Sequence, residues 1–245
     1  MFPSISALVW TRGVFELSPD EWTAVRLSLQ IALTATAFSL PFGILAAYAL
    51  ARWTFPGKFL FDGFIHLPLV LPPVVTGYIL LMLLGRRAPL GAFLADHFGI
   101  VFSFRWTGAA LACGVMGFPL MVRAMRLSIE AIDRRLEDAA GTLGANGLWT
   151  FGLVTLPLAL PGILVGAILC FAKALGEFGA TITFVSIIPG ETQTISAAIY
   201  TYTQVPGGDA KAWRLTAIAI AIALGALIVS EIVQRTAHRR LAQFE

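Results

Sequence analysis

Apolar residues are gathered into five long runs, at 27–50, 64–84, 106–122, 153–175 and 215–233, with more polar stretches between them. A bilayer core takes about 20 helical residues, so each run is predicted to cross as a helix. The third run is the shortest and reaches across with its flanking Trp106 and Arg123 counted at the interfaces. These five spans predict an all-α integral membrane protein. Residues 1–245 form a single transmembrane domain, with 1–26 as an outer N-terminal segment.

The largest departure from the apolar pattern is the polar insert at 123–152. Ile129, Ile132, Leu136, Ala140 and Leu143 recur at helical spacing, while Glu130, Asp133, Arg134, Glu137 and Asp138 occupy the other faces. That periodicity predicts an amphipathic helix at the membrane surface. Gly141, Gly144 and Gly147 are predicted to interrupt it, because glycine loosens a helix and permits a turn. Leu148, Trp149 and Phe151 then form a short apolar patch that leads into the fourth run.

Composition agrees with the runs: 58% of the 245 residues are hydrophobic and 13% charged, against about 25% charged in soluble domains. The net charge of +3 lies beside the apolar runs rather than on one face, so it orients the chain in a bilayer and does not suggest nucleic acid. One set of connections carries Arg52, Lys58, Arg123, Arg126, Arg134, Arg135, Arg235, Arg239 and Arg240. The other carries Arg12, Arg86, Arg87, Arg105 and Lys211, with Arg26 and Arg214 at span edges. The richer set is assigned to the cytoplasm, which places the N-terminus outside, the polar insert inside and the C-terminus inside. No cleavable leader is expected, since the first run follows an acidic stretch and is too long for one.

Several residues carry candidate chemistry. Pro68, Pro72 and Pro73 remove amide donors within the second run and predict a kink, tolerable where neighbouring helices or a polar path satisfy the freed carbonyls. Lys173 places a charge well inside the fourth run, where such groups face a bundle interior or a watery cavity, or snorkel outward; Glu177 stands four residues away. Thr181, Thr183 and Ser186 follow, between turns at Pro189-Gly190 and Pro206-Gly207-Gly208 and around a short helix at 195–202. Hydroxyls at membrane depth suit either an oxyanion passage or packing between helices. Cys113 and Cys170 read as small buried hydrophobes, and residues 85–105 as an outer loop. His66, His97 and His238 lack the spacing of metal ligands, so no metal site is expected.

Asp138-Ala139-Ala140, three residues, Gly144, nine residues, then Val154-x-Leu156-Pro157 resembles the Glu-Ala-Ala loop of the membrane subunits of bacterial ABC importers. Residues 67–75, 85–87, 118–123 and 175–185 resemble the molybdate branch of that family, and the likeness covers nearly all of the chain from Trp22 onward. Two departures stand out: aspartate replaces the motif's glutamate, and Gly141 stands where a long basic side chain is expected. The resemblance implies the architecture of a type I ABC importer permease. It also implies that Glu137, Asp138, Ala139, Ala140, Gly144, Ala145, Trp149, Phe151, Leu156 and Pro157 couple the permease to a cytoplasmic ATPase. Pro72, Pro73, Lys173, Glu177, Thr181 and Thr183 are the candidate translocation path.

No phosphate loop, HExxH or nucleophile–base pair is present in the sequence, so ATP and Mg are expected on a partner chain and no cofactor on this one. Five spans are few to enclose a polar passage, which favours a homodimer with the path on its two-fold axis. The implied partners are two ABC ATPase subunits, a periplasmic molybdate-binding protein and the lipid bilayer. A sulfate or dedicated tungstate permease is the nearest alternative; an ion-driven secondary anion transporter would show internal repeats and intramembrane acids, which the sequence lacks.

Overall fold

The computed structural model describes residues 17–241, with side chains described as far as Arg235. Arg12, and the side chains of His238, Arg239 and Arg240, lie outside the described residues. Among the described residues the fold is all-helical. Four helical stretches are long and apolar enough to cross a membrane, and a bent helix pair makes up to five.

Helix α1 (Pro19–Arg52) begins earlier than its apolar run, because Ser18 and Glu21 form a capping box: each side chain accepts from the other's backbone amide. At 34 residues it is about 51 Å long, well beyond the roughly 30 Å of a bilayer core. Helix α5 (Trp106–Glu130) is the central element, packed on α1 and α8 (Leu156–Leu175). Its inward face is Ala109, Ala112, Cys113, Met116, Met121 and Met125, all buried. Small residues let backbones approach, which is how helices gain contact where lipid removes the hydrophobic drive between them. Both cysteines are free and buried, Cys113 on α5 and Cys170 on α8.

The second run is broken into two helices, a bent pair that together is apolar enough to cross. Helices α2 (Lys58–Val70) and α3 (Pro73–Leu84) meet at 114°. Pro68 alone is absorbed inside α2, whereas consecutive Pro72 and Pro73 withhold two amides in succession and end it at Leu71. Helix α3 restarts at once, with the Pro72 carbonyl accepting from Val75 N at 2.9 Å. Helix α3 packs on α9 (Gly179–Val185) at backbone distance: a Cβ on Gly77 would lie 2.4 Å from the Ala180 carbonyl oxygen.

The outer loop at 85–105 contains a helix, α4 (Pro89–Phe98), started by Pro89 and stopped by Gly99 in the left-handed region. His97 stacks on Phe93 there. His66 stands 3.2 Å from the Asp62 carboxylate, which Arg126 also holds at 3.0 Å. The last elements, α10 (Ile195–Thr203) and α11 (Asp209–Leu241), close the bundle against α1. There Arg214 grips the fully buried Glu21 carboxylate at 3.0 Å, and Ser28 Oγ accepts from Ile195 N at 2.7 Å. Burial pushes the Tyr202 phenol above its usual pKa, with the acidic neighbours Glu21 and Asp20 adding to the rise.

Candidate functional site

The polar insert folds as two short helices round a tight turn. Asp133 caps α6 (Arg134–Thr142) by accepting from Arg135 N, and Asn146 caps α7 (Gly147–Thr150) by accepting from Trp149 N. The predicted helix from 129 divides: Ile129 and Glu130 end α5, and α6 begins four residues later. Gly141 lies inside α6 and does not interrupt it. Gly144 does, with φ +89° and open space where a Cβ would sit. Backbone conformation, and not crowding, is what requires glycine there.

Helix α7 runs without a gap through a π-helical turn (Phe151–Thr155) into α8, so the short helix and the fourth span are one 29-residue stretch, Gly147–Leu175. Pro157 has no amide to offer the Leu153 carbonyl, and the wider turn before it accommodates that loss. Leu156 and Pro157 set the start of α8.

The insert has no core of its own. No residue of α6 or α7 is buried, while Leu143 is 89% exposed, Leu148 83% and Trp149 62%. These apolar side chains, in the same polar insert as Asp138, Ala139 and Ala145, are left uncovered by the rest of the chain. Glu137 and Phe151 point the other way. Glu137 accepts from Thr155 Oγ1 at 2.7 Å and is paired with Arg52, and the Phe151 ring meets Tyr48 edge-on at 4.9 Å. Neither Arg52 nor Tyr48 was singled out in the sequence as a loop contact; nothing local marks a pair 85 residues apart.

At the other end of α8 the structure brings most of the candidate path residues together. Lys173 Nζ lies 2.6 Å from Glu177 Oε2, and Glu177 Oε1 accepts from Ala180 N at 3.0 Å, so one carboxylate pairs with the lysine and caps α9. Glu177 is 1% exposed and Lys173 29%, which leaves the cation as the accessible end of the pair. Pro73 packs against Gly179, bringing the α2–α3 break onto the same corner. Thr181 and Thr183 donate to the Phe178 and Gly179 carbonyls of their own helix, so their protons are already engaged. An open groove of about 730 Å³ lies elsewhere, between α1, α2, α3 and α5. Phe38, Phe42, Phe64, Leu83 and Phe118 dominate its wall, which does not suit a hydrated dianion. No group of three or more metal-binding side chains occurs among the described residues.

Residues 39–243 match the family of binding-protein-dependent transport system inner membrane components. The chain belongs to that family. It is 58% identical over 224 residues to the molybdenum transport system permease protein ModB of Escherichia coli, covering 91% of this chain and 98% of that one. A sulfate transport system permease protein, CysW of Synechococcus elongatus, is more distant, 41% identical over 172 residues that cover 70% of this chain and 60% of that one. Among solved structures, a bacterial alginate ABC transporter in complex with its pentasaccharide-bound periplasmic protein superposes with a TM-score of 0.67 at 18% identity, covering 91% of this chain and 80% of that one. This likeness shows the fold, that of a type I ABC importer permease; membership of the family makes the chain a transport subunit of the inner membrane, which its apolar helices cross several times.

A substitution at the turn separates loop geometry from membrane folding. Gly144→Pro demands φ near −65° where the backbone has +89°, and removes the amide that donates to Gly141 O at 3.0 Å. Gly144→Ala meets only the left-handed penalty, about 1 kcal/mol. The proline variant is expected to insert and purify normally yet lose substrate-stimulated ATP hydrolysis in the assembled transporter, while the alanine variant keeps most of it.

Proposed function

We propose that this chain is the non-catalytic membrane subunit of an ATP-driven importer of molybdate, and of tungstate with it. The single observation that carries the substrate is the 58% identity extending over 98% of the Escherichia coli molybdenum permease. A homodimer places the path on its axis. Two cytoplasmic ATPase subunits, which bind ATP and Mg, seat on the apolar face of Leu143, Leu148 and Trp149. A periplasmic binding protein delivers the anion at the opposite face. The alignment of basic residues supports an outer N-terminus and a cytoplasmic C-terminus.

Nucleotide-driven closure of the ATPases moves the insert, because a ligand shifts an equilibrium only through contacts that differ between states. The continuous α7–α8 stretch carries that movement along the fourth span to the corner of Lys173, Glu177, Pro72, Pro73, Thr181 and Thr183. There the ammonium of Lys173 is the group placed to attract a dianion. With both threonine hydroxyls engaged in α9, they contribute to the wall through its shape.

The reading is tested by measuring ATP hydrolysis of the reconstituted permease with its ATPase and binding protein, loaded in turn with molybdate, tungstate and sulfate. Stimulation by molybdate and tungstate alone is expected. Stimulation by sulfate alone would retain the mechanism and reassign the substrate, and failure to recover any ATPase would overturn both.

A further inference from the structure

The insert lacks a core, yet it is fastened to a helix that no part of its own sequence reaches. Arg52, in the last turn of α1, holds Glu137 of α6 through Nε, at 3.1 Å from Oε1 and 3.0 Å from Oε2. Its Nη2 donates to the Ile132 carbonyl at the α5–α6 corner at 3.1 Å. Glu137 in turn accepts a hydrogen bond from the hydroxyl of the fully buried Thr155 in the π-helical turn. One turn earlier on α1, Tyr48 bears on Phe151. The Arg52 and Glu137 side chains are 8% and 15% exposed, so this is a largely dry ion pair with further hydrogen bonds at both ends. The same helix is tied at its far end, through Glu21 to Arg214 of α11 and through Ser28 to Ile195 of α10.

We propose that Arg52, seconded by Tyr48, is a positioning residue that latches the coupling insert to α1, making α1 a second line of transmission beside α8. Movement of the insert then pulls the inner end of a continuous helix whose outer end is pinned to α10 and α11. Arg52 suits this role better than lysine, since its fork reaches a carboxylate and a carbonyl together. The proposal rests on the ABC importer reading and adds the route by which the insert's displacement reaches the outer elements.

The test uses the reconstituted complex with its ATPase and molybdate-loaded binding protein. Arg52→Met and Tyr48→Leu are expected to retain the ATPase through purification and keep basal hydrolysis. The ratio of stimulated to basal hydrolysis should fall, by about tenfold for Arg52→Met and less for Tyr48→Leu. Arg52→Lys should restore part of the ratio. Because Arg52 and Glu137 act as a unit, Arg52→Met combined with Glu137→Gln should be no worse than the poorer single variant. A wild-type ratio in both Arg52→Met and Tyr48→Leu, or independent multiplying losses in the double variant, overturns the latch while leaving the importer reading intact. A wild-type chain that recovers no ATPase overturns the importer reading and the latch with it. Tyr48→Leu exposes no buried charge and keeps the question answerable if Arg52→Met folds poorly.

Discussion

Leu148→Asp is expected to weaken the hold of the permease on its ATPase by at least about 100-fold while leaving the membrane helices unchanged. A leucine withdrawn from water contributes about 2 kcal/mol, and a carboxylate forced into the same apolar contact adds a desolvation cost on top, which together exceed two decades of affinity. Leu148 is 83% exposed and no residue of α7 is buried, so the substitution disturbs nothing inside the permease. Asp at Trp149 should act in the same direction. Recovery of the ATPase on a tagged permease, with the melting temperature of the permease alone as control, reads the result. Undiminished recovery with Leu148→Asp and with Trp149→Asp would sink the assignment of this face as the docking surface.

That face was legible in the sequence because two periodicities conflict there. A chain otherwise made of membrane-length apolar runs carries one stretch of helical, charge-rich patterning, and of the three glycines that predict an interruption there only Gly144 stands at positive φ and makes the turn, Gly141 lying inside α6 and Gly147 beginning α7. The caps Asp133 and Asn146 stand in the expected class of side chains, although spacing does not reveal the break at 131–133: Ile129, Ile132 and Leu136 keep helical spacing straight through it. Spacing is blind to a corner at which the apolar stripe continues on both sides. The same holds for α4, ten residues within the stretch 85–105 that the sequence predicts as loop. Pro89 and Gly99 are both turn residues by composition, and only their positions as first helical residue and left-handed cap reveal the helix between them.

The second run shows the opposite limit. Three prolines announced a kink, yet hydropathy runs smoothly from 64 to 84 and carries no measure of angle. Whether consecutive prolines bend a helix slightly or turn it through 114° depends on what receives the second half. Here α9 does, because Gly77 allows α3 to lie on the Ala180 backbone. Long-range polar pairs were likewise invisible. Arg52 and Arg214 were counted in the sequence only as charges that orient the chain, whereas both are committed to glutamates far away in sequence.

Lys173→Met is expected to destabilise the permease by about 3 kcal/mol, the lower end of the range for breaking a buried pair, since the lysine is itself 29% exposed. The cost arises at Glu177, left as an uncompensated buried carboxylate with one oxygen on Ala180 N and the other without its cation. Glu177→Gln keeps an oxygen for that amide and removes the charge, so Lys173→Met with Glu177→Gln should recover most of the stability, read as melting temperature in detergent. The recovered variant isolates the path question from the folding question. If the accessible ammonium attracts the anion, molybdate uptake by the double variant falls about tenfold although it is folded and retains its ATPase, a loss of the size that one electrostatic contact supplies. Uptake at the wild-type rate in that stable variant would make the pair a structural clasp between α8 and α9 and move the path away from Lys173.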